Sequence, residues 1–198
     1  CNIIRRGQEG SIVSDKFVIP IIRGYEIKEV LGQGGMGRVY SATRTSDGRQ
    51  VAIKIILPSF TGSMGRQFHQ RFSREIDVCK RFKHPNVVNI LDGGIVEESG
   101  EPFFVMEHLT GQALDERSDF GELSEELALS IIEQITEAFA YYHPEGLVHR
   151  DIKPSNLFVV EDGRVVLLDF GLVFDSSSTR LTETGEAPGT ALTMAPEQ

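Results

Sequence analysis

The sequence has no tryptophan, only two cysteines and no long apolar run. Cys1 and Cys79 are too few and too far apart for a disulfide framework or a cysteine metal knuckle, so they favour a reducing, cytosolic setting. No stretch reaches the roughly 18 apolar residues that a membrane-spanning helix requires. We therefore expect a cytoplasmic chain without a membrane segment of its own, although a longer parent protein could still be anchored in a membrane.

The sequence also lacks an excess of basic over acidic residues. The chain has 20 Lys and Arg against 29 Asp and Glu, which gives a formal net charge of -9. A nucleic-acid-binding protein needs a basic surface to displace counterions, so we do not expect nucleic acid as a partner. The apolar fraction of 40% and the charged fraction of 25% are close to globular averages and predict a buried core.

The first part of the chain has the pattern of a small β-rich domain. Residues 1–23 lack a clear period and are interpreted as a leader or linker. Because the chain begins at Cys1 rather than Met, we expect that residues are missing before it. From Gly24 onward three short strands are predicted, followed by a helix over Gln67–Arg81 with apolar residues at helical spacing. The predicted strands are Tyr25–Leu31, Arg38–Ala42 and Val51–Ile56.

The second part is more helical. After His84-Pro85-Asn86 has ended the first helix, two further strands are predicted at Val87–Leu91 and Phe103–Met106, on either side of an acidic loop. The texture changes after Gly111, and Ser124 is a good N-cap for a helix that extends to about Tyr142. Two short strands, Leu157–Val160 and Val165–Leu168, follow this helix.

A glycine-rich run lies between the first two predicted strands. Its residues are Gly32-Gln33-Gly34-Gly35-Met36-Gly37-Arg38-Val39, which fits GxGxxGxV. Glycine allows the backbone to approach phosphate groups closely, although plain glycine-rich hairpins are common. A dinucleotide-binding fingerprint requires a helix after the glycines, whereas a strand is predicted here. Taken alone, the pattern leaves a phosphate-binding hairpin and a plain glycine-rich hairpin equally open.

Lys54 follows the strand Val51-Ala52-Ile53 and has apolar neighbours on both sides. A lysine at such a position is usually at an edge or faces solvent. If Lys54 points inward it needs an anionic partner, because an unpaired buried ammonium group is costly. Glu75, on the polar side of the following helix, could supply that partner. The two match the lysine–glutamate pair that holds the ATP phosphates in kinases.

The most specific cluster is the run His149-Arg150-Asp151-Ile152-Lys153-Pro154-Ser155-Asn156, followed by Asp169-Phe170-Gly171. In this pattern Asp151 accepts the proton of a substrate hydroxyl and Lys153 lies near the transferred phosphate. Asn156 and Asp169 provide hard oxygen ligands for Mg²⁺. A single aspartate in a loop is more often a turn or cap residue, but chance agreement of all these blocks in one order is negligible.

Taken together, these blocks resemble the eukaryotic-type (Hanks-type) Ser/Thr protein kinase superfamily over residues 24–198. Lys153 after Asp151, and Gly189-Thr190 ahead of Ala195-Pro196-Glu197, are similar to the Ser/Thr branch. The end of the chain and the acidic, Trp-free composition resemble bacterial members most. The resemblance implies an α+β, bilobal fold with a β-rich N-lobe containing one helix and a partial helical C-lobe. The implied boundaries are about 24–106 for the N-lobe, 107–111 for the hinge and 112–198 for the C-lobe.

The resemblance also implies the ligands and their binding residues. It implies ATP and Mg²⁺ (or Mn²⁺) as cofactors and proteins with Ser/Thr acceptors as substrates. Met106 corresponds to the gatekeeper, and the backbone of Glu107, His108 and Leu109 to the hinge that reads adenine. The implied nucleotide-binding residues are Leu31, Gly32, Gln33, Gly34, Gly35, Met36, Gly37, Arg38, Val39, Ala52, Lys54, Glu75, Glu107, Leu109 and Phe158.

Structural and regulatory roles follow from the same resemblance. His149 would be architectural, as part of a stacked spine with Cys79, Ile90 and Phe170, although a plain buried hydrophobe would suit Cys79 equally. Arg150 would pair with a phosphorylated residue of the activation segment. Thr182 and Thr184 are the candidate autophosphorylation sites, and a dimer would allow phosphorylation in trans. A plain solvated Ser/Thr linker is the alternative interpretation of this segment.

The chain departs from the family pattern at its end. It stops at Gln198, where a full kinase domain continues through further helices, so we expect a fragment that could be inactive on its own. Phe158 replaces the commoner leucine and Pro144 precedes the catalytic run. A pseudokinase scaffold is the main alternative, but Lys54, Asp151 and Asp169 are all present. A small-molecule kinase is disfavoured by the Ala-Pro-Glu segment and the Thr-rich loop.

Overall fold

The chain divides into two compact units. The computed structural model describes residues 19–34, 37–57, 66–117, 120–149 and 151–168, except for the side chains of 66–71 and 120. The first unit contains the described residues up to Lys80 together with Ile90–Thr110, and the second contains Arg81–Asn89 and the described residues from Gly111. Residues 81–89, which the sequence analysis placed in the first lobe, therefore associate with the second unit.

The first unit is an antiparallel sheet with a helix. Its strands are β1 (Tyr25–Gly34), β2 (Gly37–Arg44), β3 (Gln50–Ile56), β4 (Ile90–Ile95) and β5 (Pro102–Glu107), in the order β1-β2-β3-β5-β4. Helix α1 spans Arg66–Cys79. Four of the five strands predicted in this region are present to within three residues at each end, and the predicted helix over Gln67–Arg81 agrees with α1 to within two residues.

One face of this sheet is filled by an apolar cluster. Side chains of a strand alternate between the two faces, so Val51, Ile53 and Ile55 of β3 project to one face while Ala52 and Lys54 project to the other. The cluster on the first of these faces contains Ile22, Tyr40, Ala42, Val51, Ile53, Ile55, Val96, Phe103 and Val105. The polar chemistry of β3 is therefore separated from the apolar cluster by the sheet itself.

Helix α1 packs on the face that carries Lys54. Phe72 and Ile76, four residues apart on α1, are both buried. A Cβ atom added at Gly93 of β4 would lie 3.0 Å from Ile76 Cγ2, so glycine gives the helix room at this position. Gly93 is opposite Phe104, and Phe104 is opposite Lys54. Directly opposed residues of an antiparallel sheet point to the same face, which places α1 over the Lys54 face.

This packing explains an error in the predicted strands. The sequence analysis predicted a strand at Val87–Leu91, but β4 begins at Ile90 and continues through Asp92, Gly93 and Gly94 to Ile95. Adjacent glycines usually indicate a turn. Here both glycines lie within the strand and have close neighbours, since a Cβ atom at Gly94 would lie 3.2 Å from the Phe103 ring.

The second unit combines a three-stranded sheet with one long helix. The strands are β6 (Gly111–Ala113), β7 (Leu157–Val160) and β8 (Val165–Leu167), in the order β6-β7-β8. Helix α2 spans Glu125–Tyr142, and its N-cap Ser124 accepts a hydrogen bond from Leu127 N at 3.2 Å, as predicted. Short 3-10 turns lie at Leu114–Glu116, Phe120–Glu122, His143–Glu145 and Pro154–Asn156.

A single apolar cluster joins α2 to this sheet. Its buried members are Val87, Leu114, Ile131, Ile135, Ala138, Tyr142, Leu157, Val159, Val165 and Leu167. Pro144 is accommodated because α2 ends at Tyr142 and Pro144 lies in the short turn that follows. Strand β6 was not predicted; a Cβ atom at Gly111 would lie 2.1 Å from Val159 O, so glycine is required for the two strands to pair. Among the described residues, no helix is both long and apolar enough to cross a membrane.

Candidate active site

The glycine-rich run forms the hairpin that the sequence predicted. Gly34 of β1 pairs with Gly37 of β2, and Gly35 and Met36 between them lie outside the described residues. A Cβ atom at Gly37 would lie 2.3 Å from Ile55 O, so this glycine is imposed by the neighbouring strand β3. The dinucleotide fingerprint is excluded because β2, not a helix, follows the glycines.

Side chains across the mouth of the hairpin contact one another. Arg38 Nε donates a hydrogen bond to Gln33 Oε1 at 3.1 Å, and Arg38 Nη1 donates to Tyr40 Oη at 3.2 Å. Leu31 is buried at the base of the hairpin, whereas Gly32 is partly exposed. The hairpin therefore combines a fixed base with a polar, accessible mouth.

Lys54 is buried in the middle of the sheet, with only 4% of its surface exposed. Its register neighbours are Val39 on β2 and Phe104 on β5. Lys54 Nζ lies 5.9 Å from the centre of the Phe104 ring, within the range of a cation–π interaction. The solvent-facing alternative for this lysine is thereby excluded. Glu75 is on α1, the helix that packs over the same face, so the expected pair occupies compatible positions.

The remaining nucleotide-binding candidates of the first unit lie on the same face or just beyond it. Ala52 is opposite Met106, and both are buried. Strand β5 ends at Glu107, and Leu109 two residues later is buried. Burial lowers the pKa of the His108 imidazole between them, and the charge of Glu29 acts in the opposite direction. The gatekeeper role of Met106 and the hinge role of Glu107, His108 and Leu109 stay predictions.

In the second unit, residues of the run 149–156, named the catalytic loop for its predicted role, surround one carboxylate oxygen of Asp151. Asp151 Oδ2 accepts a hydrogen bond from Asn156 Nδ2 at 3.0 Å and forms an ion pair with Lys153 Nζ at 2.8 Å. Asn156 Nδ2 also donates to Asp151 O at 2.8 Å. Asp151 is 8% exposed and Asn156 is 1% exposed. Three residues predicted from the motif are therefore in direct contact.

The Asn156 side chain fits a metal ligand. Its amide nitrogen is used by Asp151, while its carbonyl oxygen Oδ1 is buried and has no hydrogen-bond partner among the described residues. A buried polar atom without a partner is energetically costly. A cation coordinated by Oδ1 would remove this cost, and an amide oxygen is a suitable ligand for Mg²⁺. No group of three or more His, Cys, Asp or Glu side chains forms a metal site within the described residues. The second expected ligand, Asp169, lies outside them.

His149 makes architectural contacts through both ring nitrogens. Its Nε2 lies 2.7 Å from Leu168 O, and its Nδ1 lies 3.2 Å from the backbone nitrogen of Asp151. The Asp151 N–H donates to Nδ1, so the ring hydrogen is on Nε2 and is donated to Leu168 O. The residue is 1% exposed. His149 therefore connects the catalytic loop to the residue that precedes Asp169 and is not placed to act as a base.

Phe158 and Cys79 occupy ordinary packed positions. Phe158 is fully buried in β7, and its Cε1 would lie 3.0 Å from a Cβ atom at Gly111. Cys79 ends α1 and is partly buried; burial, together with the charge of Glu75, raises the pKa of its thiol to about 11. A thiol with this pKa is protonated and inert at neutral pH. The regulatory candidates Arg150, Thr182 and Thr184 lie outside the described residues.

The sequence analysis missed the part that buried amides play in this unit. It treated Asn86 only as the end of a helix, but Asn86 is 4% exposed and its side chain donates to Gln134 Oε1 at 2.7 Å. No local pattern announces such a contact, because its two residues are 48 positions apart. A polar residue on the buried side of α2 is the one signal that could have drawn attention to Gln134.

Comparison with known proteins agrees with this geometry. Residues 25–198 match the family model described as the protein kinase domain, and the chain therefore belongs to the protein kinase family. Serine/threonine-protein kinase PrkC of Bacillus subtilis is 39% identical over 175 residues, which cover 88% of this chain and 26% of PrkC. Serine/threonine-protein kinase PknH of Mycobacterium tuberculosis H37Rv is 38% identical over 88% of this chain and is covered to 27% of its length.

A solved structure supports the fold. The crystal structure of a mutant form of the Mycobacterium tuberculosis PknI kinase domain matches with a TM-score of 0.65 and 28% identity, covering 77% of this chain and 61% of that one. The predicted α+β kinase fold and the resemblance to bacterial members are confirmed. The chain spans about a quarter of the length of the curated relatives named above.

The contacts of His149 lead to a testable prediction. In His149→Phe, Leu168 O and the Asp151 N–H lose their buried partners, so we expect the free energy of unfolding to fall by about 2–4 kcal/mol. The pH dependence of kcat should keep its shape, because the base is unchanged. Denaturant unfolding and a pH–rate profile of the full-length protein measure the two effects. A displaced pH profile without a loss of stability would show that His149 is itself the base.

Proposed function

We propose that this chain carries the catalytic residues of a serine/threonine protein kinase, which transfers the γ-phosphate of ATP to Ser or Thr hydroxyls of proteins. The observation that carries the proposal is the buried Asp151 carboxylate, held by Lys153 and by the buried Asn156. The relatives PrkC and PknH are named serine/threonine-protein kinases, which supports the same reaction.

Asp151 is the proposed base. The contacts with Lys153 and Asn156 are both made by its Oδ2. Oδ1 would accept the proton of the substrate hydroxyl as the hydroxyl oxygen attacks phosphorus. Lys153, already paired with Oδ2, contributes a positive charge near the reacting phosphoryl group. In phosphoryl transfer most of the acceleration comes from positioning and electrostatic stabilisation, which suits a base fixed by two donors.

Asn156 and Asp169 are the proposed metal ligands. Asn156 Oδ1 supports this role because it is a buried acceptor without a partner among the described residues. Mg²⁺ or Mn²⁺ would neutralise the negative charge of the ATP phosphates. Since Asn156 Nδ2 is bound to Asp151, the same side chain orients the base and presents an oxygen to the metal.

All of the proposed nucleotide-binding residues except Phe158 belong to the first unit. Lys54 would bind the α- and β-phosphates, with Glu75 holding its ammonium group. The glycine hairpin Gly32–Gly37 would cover the phosphates through its backbone. Adenine would be read by the backbone of Glu107 and Leu109 and packed against apolar groups, for which Leu31, Val39, Ala52 and Phe158 are the candidates.

A pseudokinase would bind ATP without transferring its phosphate, so a measurement of phosphate transfer distinguishes the two functions. Lys54, Asp151 and Asp169 are all present in the sequence, which argues against a scaffold that has lost transfer. The cytoplasm is the proposed location, because the reaction consumes ATP and Cys79 is a free thiol.

The role of Asp151 can be tested directly. The full-length protein is incubated with labelled ATP and Mg²⁺ beside Asp151→Asn and the exposed control Asp77→Asn. We expect Asp151→Asn to lose at least about 100-fold in the rate of label incorporation, because a neutral amide cannot accept the proton. Asp77→Asn should match the wild type. Equal incorporation by wild type and Asp151→Asn would refute the base, and ATP binding without incorporation in any variant would favour a scaffold.

We further propose that phosphorylation of the activation segment regulates the enzyme. Arg150 precedes the base, and a guanidinium group forms strong charge-assisted hydrogen bonds with a phosphate. Thr182 and Thr184 are the proposed sites, since they precede Gly189-Thr190 in a Thr-x-Thr pattern. A dimer would allow one molecule to modify another.

Phosphopeptide mapping tests this regulation. We expect phosphate on Thr182 or Thr184 of the active full-length enzyme, and we expect Thr182→Ala/Thr184→Ala to lower kcat by about tenfold or more, because the ordering contact is lost. Mixing the active enzyme with Asp151→Asn should label the inactive partner if the reaction occurs in trans. An active enzyme with neither threonine modified would overturn the proposal.

A further inference from the structure

Within the described part of the chain, strand β8 pairs fully with a neighbouring strand along one edge only. One edge of β8 pairs with β7. On the other edge, Leu167 N donates to Asn86 O at 2.8 Å and Val88 N donates to Leu167 O at 3.0 Å. This short parallel bridge involves only Leu167, so the backbone groups of Val165, two residues earlier on the same edge, need other partners.

Two side-chain amides satisfy Val165. Its N–H donates to Gln134 Oε1 at 2.8 Å, and its carbonyl accepts a hydrogen bond from Asn86 Nδ2 at 2.8 Å. Asn86 Nδ2 also donates to Gln134 Oε1 at 2.7 Å. Gln134 Nε2 is 3.4 Å from Ser130 Oγ, which turns Oε1 toward the strand. The amides of Asn86 and Gln134 thus stand in for the missing neighbouring strand at Val165.

At the end of β8, both backbone groups of Leu168 also have hydrogen-bond partners. Leu168, directly after the strand, donates its N–H to Asn156 O at 2.8 Å and accepts a hydrogen bond from His149 Nε2 at 2.7 Å. Both partners belong to the catalytic loop. The register of β8 therefore fixes where Leu168 meets that loop, and the next residue in the sequence is Asp169, the proposed metal ligand.

We propose that Asn86 and Gln134 form a positioning pair, which sets the register of β8 and through it the contact of Leu168 with His149 and with the proposed metal ligand Asn156. This inference rests on the proposed function only in the role given to Asn156. Neither residue is a catalytic residue, since their described side-chain contacts are with β8, with each other and with Ser130. A shift of β8 would break the hydrogen bond between Leu168 N and Asn156 O, and so would displace Asn156, the proposed metal ligand that the structure describes.

The contacts predict an asymmetry between two similar substitutions. In Gln134→Glu, a carboxylate oxygen still accepts both hydrogen bonds, and the site is partly exposed, so the charge remains solvated. In Asn86→Asp, the donor is lost and a carboxylate that is almost fully buried faces the Val165 carbonyl. Each substitution adds one negative charge, but only the second removes a side-chain hydrogen bond to β8, the one to Val165 O.

Amide hydrogen exchange of the full-length protein, without nucleotide or metal, gives the first readout. We expect the Val165 amide to exchange about tenfold faster in Gln134→Leu than in wild type, because its acceptor is gone. Gln134→Glu and the exposed neighbour control Glu133→Gln should exchange like the wild type. Unchanged exchange in Gln134→Leu, or equally fast exchange in Gln134→Glu, would overturn the proposal.

The metal dependence of activity gives the second readout, which a purely structural role would leave unchanged. At saturating ATP, we expect the Mg²⁺ concentration for half-maximal rate to rise about tenfold in Gln134→Leu and at least as much in Asn86→Asp, and to stay at the wild-type value in Gln134→Glu. Faster exchange with an unchanged Mg²⁺ requirement would reduce the pair to ordinary packing and overturn the proposal. Failure of the proposed function itself would appear separately, as an Asp151→Asn variant with wild-type activity.

Discussion

The orientation of one amide, that of Asn156, governs the candidate active site. Its nitrogen donates to the Asp151 carboxylate at 3.0 Å, and this contact turns the carbonyl oxygen away, where no described group meets it. A nearly buried carboxylate is stabilised by hydrogen-bond donors and by opposite charge, and Lys153 Nζ forms an ion pair with the same oxygen at 2.8 Å. The position of the proposed base and the orientation of the proposed metal ligand therefore depend on the same hydrogen bond.

In each unit the polar candidate residues are kept apart from the apolar cluster by the local arrangement of the chain. In the first unit the alternation of β3 sends Lys54 to one face and Val51, Ile53 and Ile55 to the other. In the second unit, the catalytic loop precedes β7, and Ile152 and Leu157 join the apolar cluster on either side of the polar residues. Rigid apolar anchors near a reactive group limit its motion, which favours a preorganised site.

Most of the fold and of the candidate site could be predicted where the signal is local. Ser124 caps α2 as its sequence indicates, and the glycine hairpin, Lys54 and the contacts among Asp151, Lys153 and Asn156 follow from short motifs. The errors arise where distant residues decide. Gly93 lies within a strand, where Ile76 packs against it, and Gln134 contacts a residue 48 positions away. Local composition indicates neither contact, and the one local signal for the second is a polar residue on the buried side of α2.

Binding of Mn²⁺ in the presence of ATP, followed by electron paramagnetic resonance on the full-length protein, tests the central claim most directly. Asn156→Ala removes the carbonyl oxygen, and we predict that it weakens Mn²⁺ binding by more than about tenfold, as expected for the loss of one hard oxygen ligand. Asn156→Asp keeps an oxygen at that position and should bind Mn²⁺ at least as tightly as the wild type. Wild-type Mn²⁺ affinity in Asn156→Ala would contradict the assignment of this amide to the metal.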